Sequence, residues 1–267
     1  MSDKKKVTGI IQIYSKKARQ QIIDIGMQFF QAAGISEYAE DVFACVDELI
    51  KNAVKANYKF LLIADKLRDK LLRENGISSA EVEARLSEMI KSRDAYDQSA
   101  SEIAVKEDIS DTVREILNEE SKYLSIKNRI FDEDRTYTEE EKRIITNLKK
   151  FMKIRKNLRE KNIRILMKVE ADQDYIYIEV TNTAPIMTHD LNRIYDKRDE
   201  YRHYREIGRE YEFFINNIDT SDSGFGLGYA KIDSFLANMG LDTESSVTIV
   251  SANSTTAMLS LPLNQLR

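Results

Sequence analysis

The feature that most constrains the fold is an amphipathic helical pattern that runs unbroken over residues 36–75. Its apolar residues recur every three or four positions, a spacing that predicts one long helix with a single buried stripe. At the edge of that stripe, Glu48, Asn52 and Lys55 stand at positions i, i+4 and i+7, so their side chains project from one side of the helix. A carboxylate, an amide and an ammonium in this order can supply a base, a metal ligand and a phosphate contact, or can simply be surface residues.

Composition narrows the class of protein. Charged residues make up 32% of the chain against 9 Gly and 2 Pro, which is typical of long solvated helices. The net charge of −4 argues against binding to nucleic acid. The single cysteine excludes an internal disulfide, and the 2 histidines argue against a His/Cys metal site. Because no apolar stretch is long enough for a signal peptide or a membrane helix, we expect a soluble cytoplasmic protein.

Two strand-forming regions flank a long helical one. Alternating and β-branched residues predict strands at residues 7–13, 163–169, 175–181, 246–251 and 256–261. Capping residues mark helix ends: Ser15 before the first helix, Gly34 after it, and Thr138 in a capping box. Residues 59–162 are almost entirely helical in pattern, and the Ser-, Ala- and Asp-rich stretch 97–108 predicts a loop within them.

A second motif lies far downstream, at Gly224, Gly226 and Gly228, with Leu227 between the last two. It opens onto a predicted helix, so its flexible backbone and the helix N-terminus suit phosphate oxygens. It is neither a Rossmann fingerprint, since no strand feeds it directly, nor a P-loop, since it lacks Gly-Lys-Ser/Thr. Taken alone, the triplet can also be a simple turn before a helix.

In order and in secondary structure, these motifs resemble the Bergerat-fold (GHKL) ATPases, a superfamily that includes DNA gyrase, histidine kinases and the serine kinases that act as anti-sigma factors. The resemblance rests on the helix that carries Glu48 and Asn52, a strand ending in a polar turn, the glycine triplet, and a closing strand with Thr255 and Thr256. Its layout is similar to that of the compact anti-sigma serine kinases and of histidine kinase catalytic domains.

The resemblance implies an α/β two-layer sandwich, with a mixed sheet covered by helices on one face. This domain would consist of residues 1–58 and 163–267. Residues 59–162 would then be a large all-helical insertion, because a connection of about a hundred residues needs structure of its own. The insertion would serve partner contact, sensing or homodimer formation, or it would be a solvated elaboration with no binding role.

The resemblance also implies roles for individual residues. Glu48 would polarise the attacking water or hydroxyl, Asn52 would hold a Mg²⁺ ion that bridges the phosphates, and Lys55 would contact a phosphate. Gly224, Gly226 and Gly228 would wrap the phosphates. Thr255 or Thr256 would support the adenine from the closing strand.

One family motif is altered in this chain. Asn182 occupies the position of the aspartate that reads adenine, and Ala184 and Ile186 replace two glycines. The amide oxygen of Asn182 can still accept a hydrogen bond from the adenine amino group, but without the assistance of a negative charge. The replaced glycines reduce the freedom of the backbone at the mouth of the pocket.

The expected function is therefore that of a signalling protein with a histidine-kinase-like ATPase domain, which binds ATP and Mg²⁺ and either hydrolyses ATP or transfers its phosphoryl group to a regulatory protein partner. The competing hypothesis is a non-catalytic module, gated by nucleotide or degenerate, that uses the helical insertion as its interface. The arginines between residues 193 and 209 alternate with acidic residues, which favours a self-paired surface helix over contacts to the γ-phosphate.

Overall fold

The computed structural model describes residues 5–75, 78–106, 108–217 and 227–267. The strands within these ranges are β1 (Lys5–Ile11), β2 (Ile165–Ala171), β3 (Tyr175–Asn182), β4 (Val247–Ser251) and β5 (Thr255–Pro262). They form one open five-stranded sheet in the order β1-β2-β3-β5-β4. Every neighbouring pair is antiparallel, so the expectation of a mixed sheet is wrong.

Short connections explain the antiparallel pairing of β2 with β3 and of β4 with β5. The turn between β2 and β3 is closed by Asp172, whose Oδ1 accepts from the backbone N–H groups of Asp174 and Tyr175 at 2.9 and 2.8 Å. The turn between β4 and β5 is closed by a backbone hydrogen bond of 2.9 Å from Ala252 to Ser254. A parallel pair needs a crossover of about a dozen residues or more, which neither turn can provide.

The described helices account for most of the chain. They are α1 (Lys16–Ala33), α2 (Ala39–Asn75), α3 (Ser79–Lys91), α4 (Arg93–Lys106), α5 (Ile109–Glu133), α6 (Glu139–Asn147), α7 (Lys149–Glu160), α8 (Thr188–Glu206), α9 (Glu210–Asn216), α10 (Leu227–Asn238), α11 (Thr243–Ser246) and α12 (Leu263–Leu266). A short 3₁₀ helix, Ser36–Tyr38, precedes α2. Within the described ranges, none of these helices combines the length and the apolar character needed to span a bilayer.

The predicted caps are confirmed. The Ser15 side chain accepts from the backbone N–H of Ala18 at the start of α1, and Gly34 ends that helix in the left-handed conformation at φ 76°. Thr138 and Glu141 form the expected capping box at the start of α6. These contacts satisfy backbone groups that a helix end would otherwise leave unpaired.

Helix α2 is shared by two hydrophobic cores. The first core packs one face of the sheet against α1, α2 and α10. The residues that α2 contributes to it are Ala39, Val42, Phe43, Cys45, Val46, Leu49, Ile50 and Ala53. The second core begins at Tyr58 and joins the later part of α2 to the helices that follow, through Leu61, Leu67, Leu86, Tyr96, Ile116 and Phe151 among others. With 37 residues, α2 is about 56 Å long, so it links the sheet to the helical region as one continuous rod.

The stretch expected to be a loop, 97–108, lies mostly within α4, so that expectation is wrong. Tyr96, Ala100 and Ile103 are buried in the second core. Ser and Asp have weak intrinsic helix propensity, and here the burial of this apolar stripe outweighs it.

Glu120 of α5 makes the stability of the protein depend on pH. Burial raises the pKa of its carboxyl to about 7, although a hydrogen bond with Tyr58 opposes the shift. When the pKa of a carboxyl is higher in the folded than in the unfolded protein, its contribution to stability is fully present at a pH below its pKa in the unfolded protein. That contribution is lost as the pH rises through its pKa in the folded protein. We therefore expect the free energy of unfolding to fall by about 2 kcal/mol between about pH 5 and pH 7.

Glu120→Gln is the variant that isolates this effect, because glutamine keeps the shape and stays neutral at every pH. Urea denaturation at several pH values should show the fall in the wild type and not in the variant. Glu140→Gln, which changes an exposed carboxylate on α6, is the control and should behave like the wild type. An equal fall in wild type and Glu120→Gln would assign the pH dependence to other groups.

Candidate functional site

The predicted polar face of α2 lies at the surface of the first core. Asn52 is only 8% exposed, while Glu48 and Lys55 are half-buried on either side of it. The Nδ2 atom of Asn52 is buried and has no hydrogen-bond partner among the described residues. Burial lowers the pKa of Lys55, although the carboxylate of Glu48 opposes the shift. The helix therefore presents an unsatisfied amide between a carboxylate and a partly desolvated ammonium.

The start of α10 lies directly against this face. A Cβ atom at Gly228 would lie 2.8 Å from Nδ2 of Asn52 and still nearer to Oε1 of Glu48. Only glycine lets the two helices approach this closely. The first backbone N–H groups of a helix have no partner within it, and those of α10 lie near Glu48 and Asn52. Gly224 and Gly226 lie outside the described residues.

A second group of the predicted residues meets where β3 and β5 end side by side. Asn182 pairs with Thr255 across the two strands. Both side chains donate to the carbonyl of the buried Ala184, Nδ2 of Asn182 at 2.8 Å and Oγ1 of Thr255 at 3.0 Å. Thr256 points to the opposite face of the sheet, where its hydroxyl bonds that of Thr181 at 2.8 Å. The structure thus brings Thr255 to Asn182 and Ala184 and separates Thr256 from them.

The turn after β3 connects this group to α2. Residues 185–187 pack against α2 at Ala56 and Lys59, one to two turns beyond Asn52. Lys59 Nζ lies 2.6 Å from Oδ2 of Asp190, and both side chains are largely buried. Burial alone would raise the pKa of Asp190, but His189 and Lys59 together hold it below its usual value.

Sequence reasoning missed this ion pair. The available signal was the position of Lys59, four residues after Lys55 and therefore on the same face of α2. Its partner, Asp190, is 131 residues away in the chain and follows no spacing rule.

A buried ion pair fixes α10 to α8. The guanidinium of Arg198 donates to Asp233 through Nε at 2.8 Å and Nη2 at 2.9 Å, and also to the backbone carbonyl of Thr243 at 2.8 Å. The Asp233 side chain is fully buried, and burial raises its pKa even though Arg198 opposes the shift. The pair therefore helps to hold the helix whose first turn meets Asn52.

The expected self-pairing of this arginine-rich segment is correct for three of its members. Three arginines pair with acidic residues three positions away: Arg193 with Asp190, Arg202 with Asp199, and Arg209 with Glu212. It is wrong for Arg198, whose partner lies on α10, 35 residues further along the chain, and for Arg205, which donates to the backbone carbonyl of Ala237 on α10. Arg202 has a second partner in Glu244 of α11.

No group of three or more His, Cys, Asp or Glu side chains within the described ranges is arranged to hold a metal ion. A Mg²⁺ ion that also binds nucleotide phosphates needs only one or two protein ligands. The amide oxygen of Asn52 is the kind of ligand that such a site requires.

No protein-family model matches this chain, and comparisons with curated proteins and with solved structures find no match either.

Proposed function

We propose that this protein binds ATP with Mg²⁺ on the polar face of α2 beside the N-terminus of α10 and acts in signalling, by hydrolysing ATP or by transferring its phosphoryl group to a protein partner. The observation that carries the proposal is the approach of Gly228 to Glu48 and Asn52. Residues far apart in the sequence, singled out independently by their spacing and by their glycine content, are neighbours in space. The fold proposed with this function is of the Bergerat type, carrying a helical insertion at residues 59–162.

At the phosphate end, each residue has a distinct task. Asn52 provides the unsatisfied buried amide that would hold Mg²⁺, an ion that neutralises charge on the phosphates when bound. Lys55 offers its ammonium to a phosphate oxygen, and the first N–H groups of α10 offer further donors. Glu48 accepts the proton of the attacking water or hydroxyl. Gly224 and Gly226 would extend the phosphate cradle.

At the base end, Asn182, Ala184 and Thr255 would read the adenine. The Nδ2 of Asn182 already donates to the Ala184 carbonyl, so the amide oxygen is the atom that would accept from the adenine amino group.

The same hydrogen bonds favour a second candidate function. Asn182, Ala184 and Thr255 are buried and satisfy one another without a ligand. That arrangement suits a degenerate module that binds a protein partner. Such a module either responds to nucleotide without turnover or does not bind nucleotide.

The first experiment compares Glu48→Gln and Asn52→Ala with the wild type, by calorimetric titration of ATP with and without Mg²⁺ and by release of phosphate. Glu48→Gln should bind ATP normally and lose turnover by about a hundredfold or more, because a positioned general base contributes that much. Asn52→Ala should lose the part of the ATP affinity that depends on Mg²⁺.

Glu40→Gln is the matched control, since Glu40 is an exposed carboxylate two turns earlier on α2. It should leave both binding and turnover unchanged. ATP binding without turnover in the wild type would support the second candidate. Absence of adenine nucleotide binding at millimolar concentration would refute the ATP site altogether.

A further inference from the structure

A separate polar cavity of about 120 Å³ lies between the two cores, on the other side of α2. Its walls come from the chain after β1, from α2, α5 and α7, and from the residues that lead into β2. Asn57 and Tyr58 are its contribution from α2. Asn57 follows Glu48 by nine positions, which is half a turn around the helix axis. The cavity is therefore distinct from the proposed nucleotide site.

One part of the wall carries hydrogen-bond acceptors. Asn57 is 3% exposed, and its Oδ1 has no hydrogen-bond partner among the described residues. Beside it, Glu120 is 7% exposed and is hydrogen-bonded to the hydroxyl of Tyr58. A buried amide oxygen without a partner is unfavourable, so this position calls for a donor.

Another part of the wall carries donors. Arg164, just before β2, has a buried Nε atom with no partner among the described residues. Arg155 and Arg159 line the same cavity from successive turns of α7. Arg155 is held in place by its hydrogen bond of 3.2 Å to the hydroxyl of Tyr123 and by the ring of that tyrosine, whereas Arg159 is exposed.

The remaining lining is aliphatic and includes Ile11, Ile13, Val54 and Ile163. The volume is several times that required for one water molecule. An occupant that satisfies the whole site needs a donor group at one end, an anionic acceptor at the other, and a small apolar body.

We propose that this cavity binds a small zwitterion of the α-amino acid class. Its ammonium donates to Oδ1 of Asn57 and to the carboxylate of Glu120, its carboxylate accepts from the guanidinium of Arg164, and its aliphatic side chain lies against the isoleucines. Hydrogen bonds to charged groups are stronger than neutral ones, so the two charged ends supply the specificity.

The test titrates the full chain with L-alanine, L-valine and L-leucine by calorimetry at about pH 8, above the pKa of the Glu120 carboxyl, so that this group is ionised. It includes isobutylamine and isovalerate, which each lack one charged end of valine. We expect at least one amino acid to bind. The two analogues that lack a charged end should bind with an affinity lower by a factor of about ten or more. Binding of neither amino acids nor analogues at millimolar concentration would overturn the proposal and leave a cavity filled by water. So would equal binding of valine and its two analogues.

Variants locate the binding and separate it from the nucleotide site. Asn57→Ala and Glu120→Gln should each weaken amino acid binding by about tenfold. Glu120→Gln is the more conservative change, so it serves if Asn57→Ala fails to fold. Asn52→Ala, which alters the nucleotide site, should leave amino acid affinity unchanged, so failure of one proposal does not imply failure of the other. Unchanged affinity in Glu120→Gln would overturn the assignment.

Discussion

Replacement of Arg198 with methionine is expected to lower the free energy of unfolding by about 3–5 kcal/mol, the loss typical when one partner of a buried ion pair is removed. The change would leave the carboxylate of Asp233 buried without its guanidinium, and the Thr243 carbonyl without its donor. Methionine fills much of the space, so the loss reports the charge rather than a cavity. Urea denaturation monitored by circular dichroism measures it.

Two further variants test this interpretation. Arg209→Met removes a guanidinium whose pair with Glu212 is exposed, and should cost less than about 1 kcal/mol. Combining Arg198→Met with Asp233→Leu should recover most of the stability, because an apolar pair of similar volume leaves no charge unpaired. If Arg198→Met is as stable as Arg209→Met, the buried pair does not stabilise the contact between α8 and α10.

Gly228→Ala is expected to impair both the stability and the proposed function. Its Cβ would overlap Glu48 and lie 2.8 Å from Nδ2 of Asn52, so either these two side chains would have to shift or α10 would have to move away from α2. The overpacking should lower the free energy of unfolding by about 1–3 kcal/mol. The higher helix propensity of alanine, about 1 kcal/mol, offsets a part of this loss. Displacement of the Asn52 side chain or of the N–H groups of α10 should lower ATP affinity by about tenfold or more.

Gly26→Ala is the matched control for this variant. A Cβ at Gly26 would lie 2.7 Å from the ring of Phe43. This is a similar steric conflict, but it lies between α1 and α2 and is remote from Asn52 in the sequence. It should destabilise the protein comparably and leave ATP affinity unchanged. Gly9→Ala, which meets no atom within 4 Å, should change neither. Equal ATP affinity in Gly228→Ala and the wild type would exclude the contact with α10 as part of a nucleotide site.

The parts of the fold that could be predicted are those decided within a few residues. The cap at Ser15, the left-handed Gly34 and the capping box at Thr138 each depend on backbone groups no more than about one turn away. The β2–β3 hairpin depends in the same way on the turn at Asp172. The wrong expectation at 97–108 has the converse cause, because α4 is stabilised by contacts with distant helices rather than by its own composition.

The pairing of β1 with β2 and of β3 with β5, and the partner of Arg198, lay beyond local signals for the same reason. Interleaved charges predicted partners three or four positions away, which holds for the exposed Arg209 and in part for Arg202, which also pairs with Glu244 of α11. Arg198 faces the interior of the protein, where α10 supplies Asp233 instead.

The sequence by itself determined that Glu48, Asn52 and Lys55 share one side of a long helix, because helical periodicity is a property of neighbouring residues. Only the tertiary structure decided that Gly228 lies against that side and that Asn57 and Glu120 enclose a polar cavity. Both arrangements arise where separate segments pack around α2, and the energy of that packing is distributed over contacts that no spacing along the chain encodes.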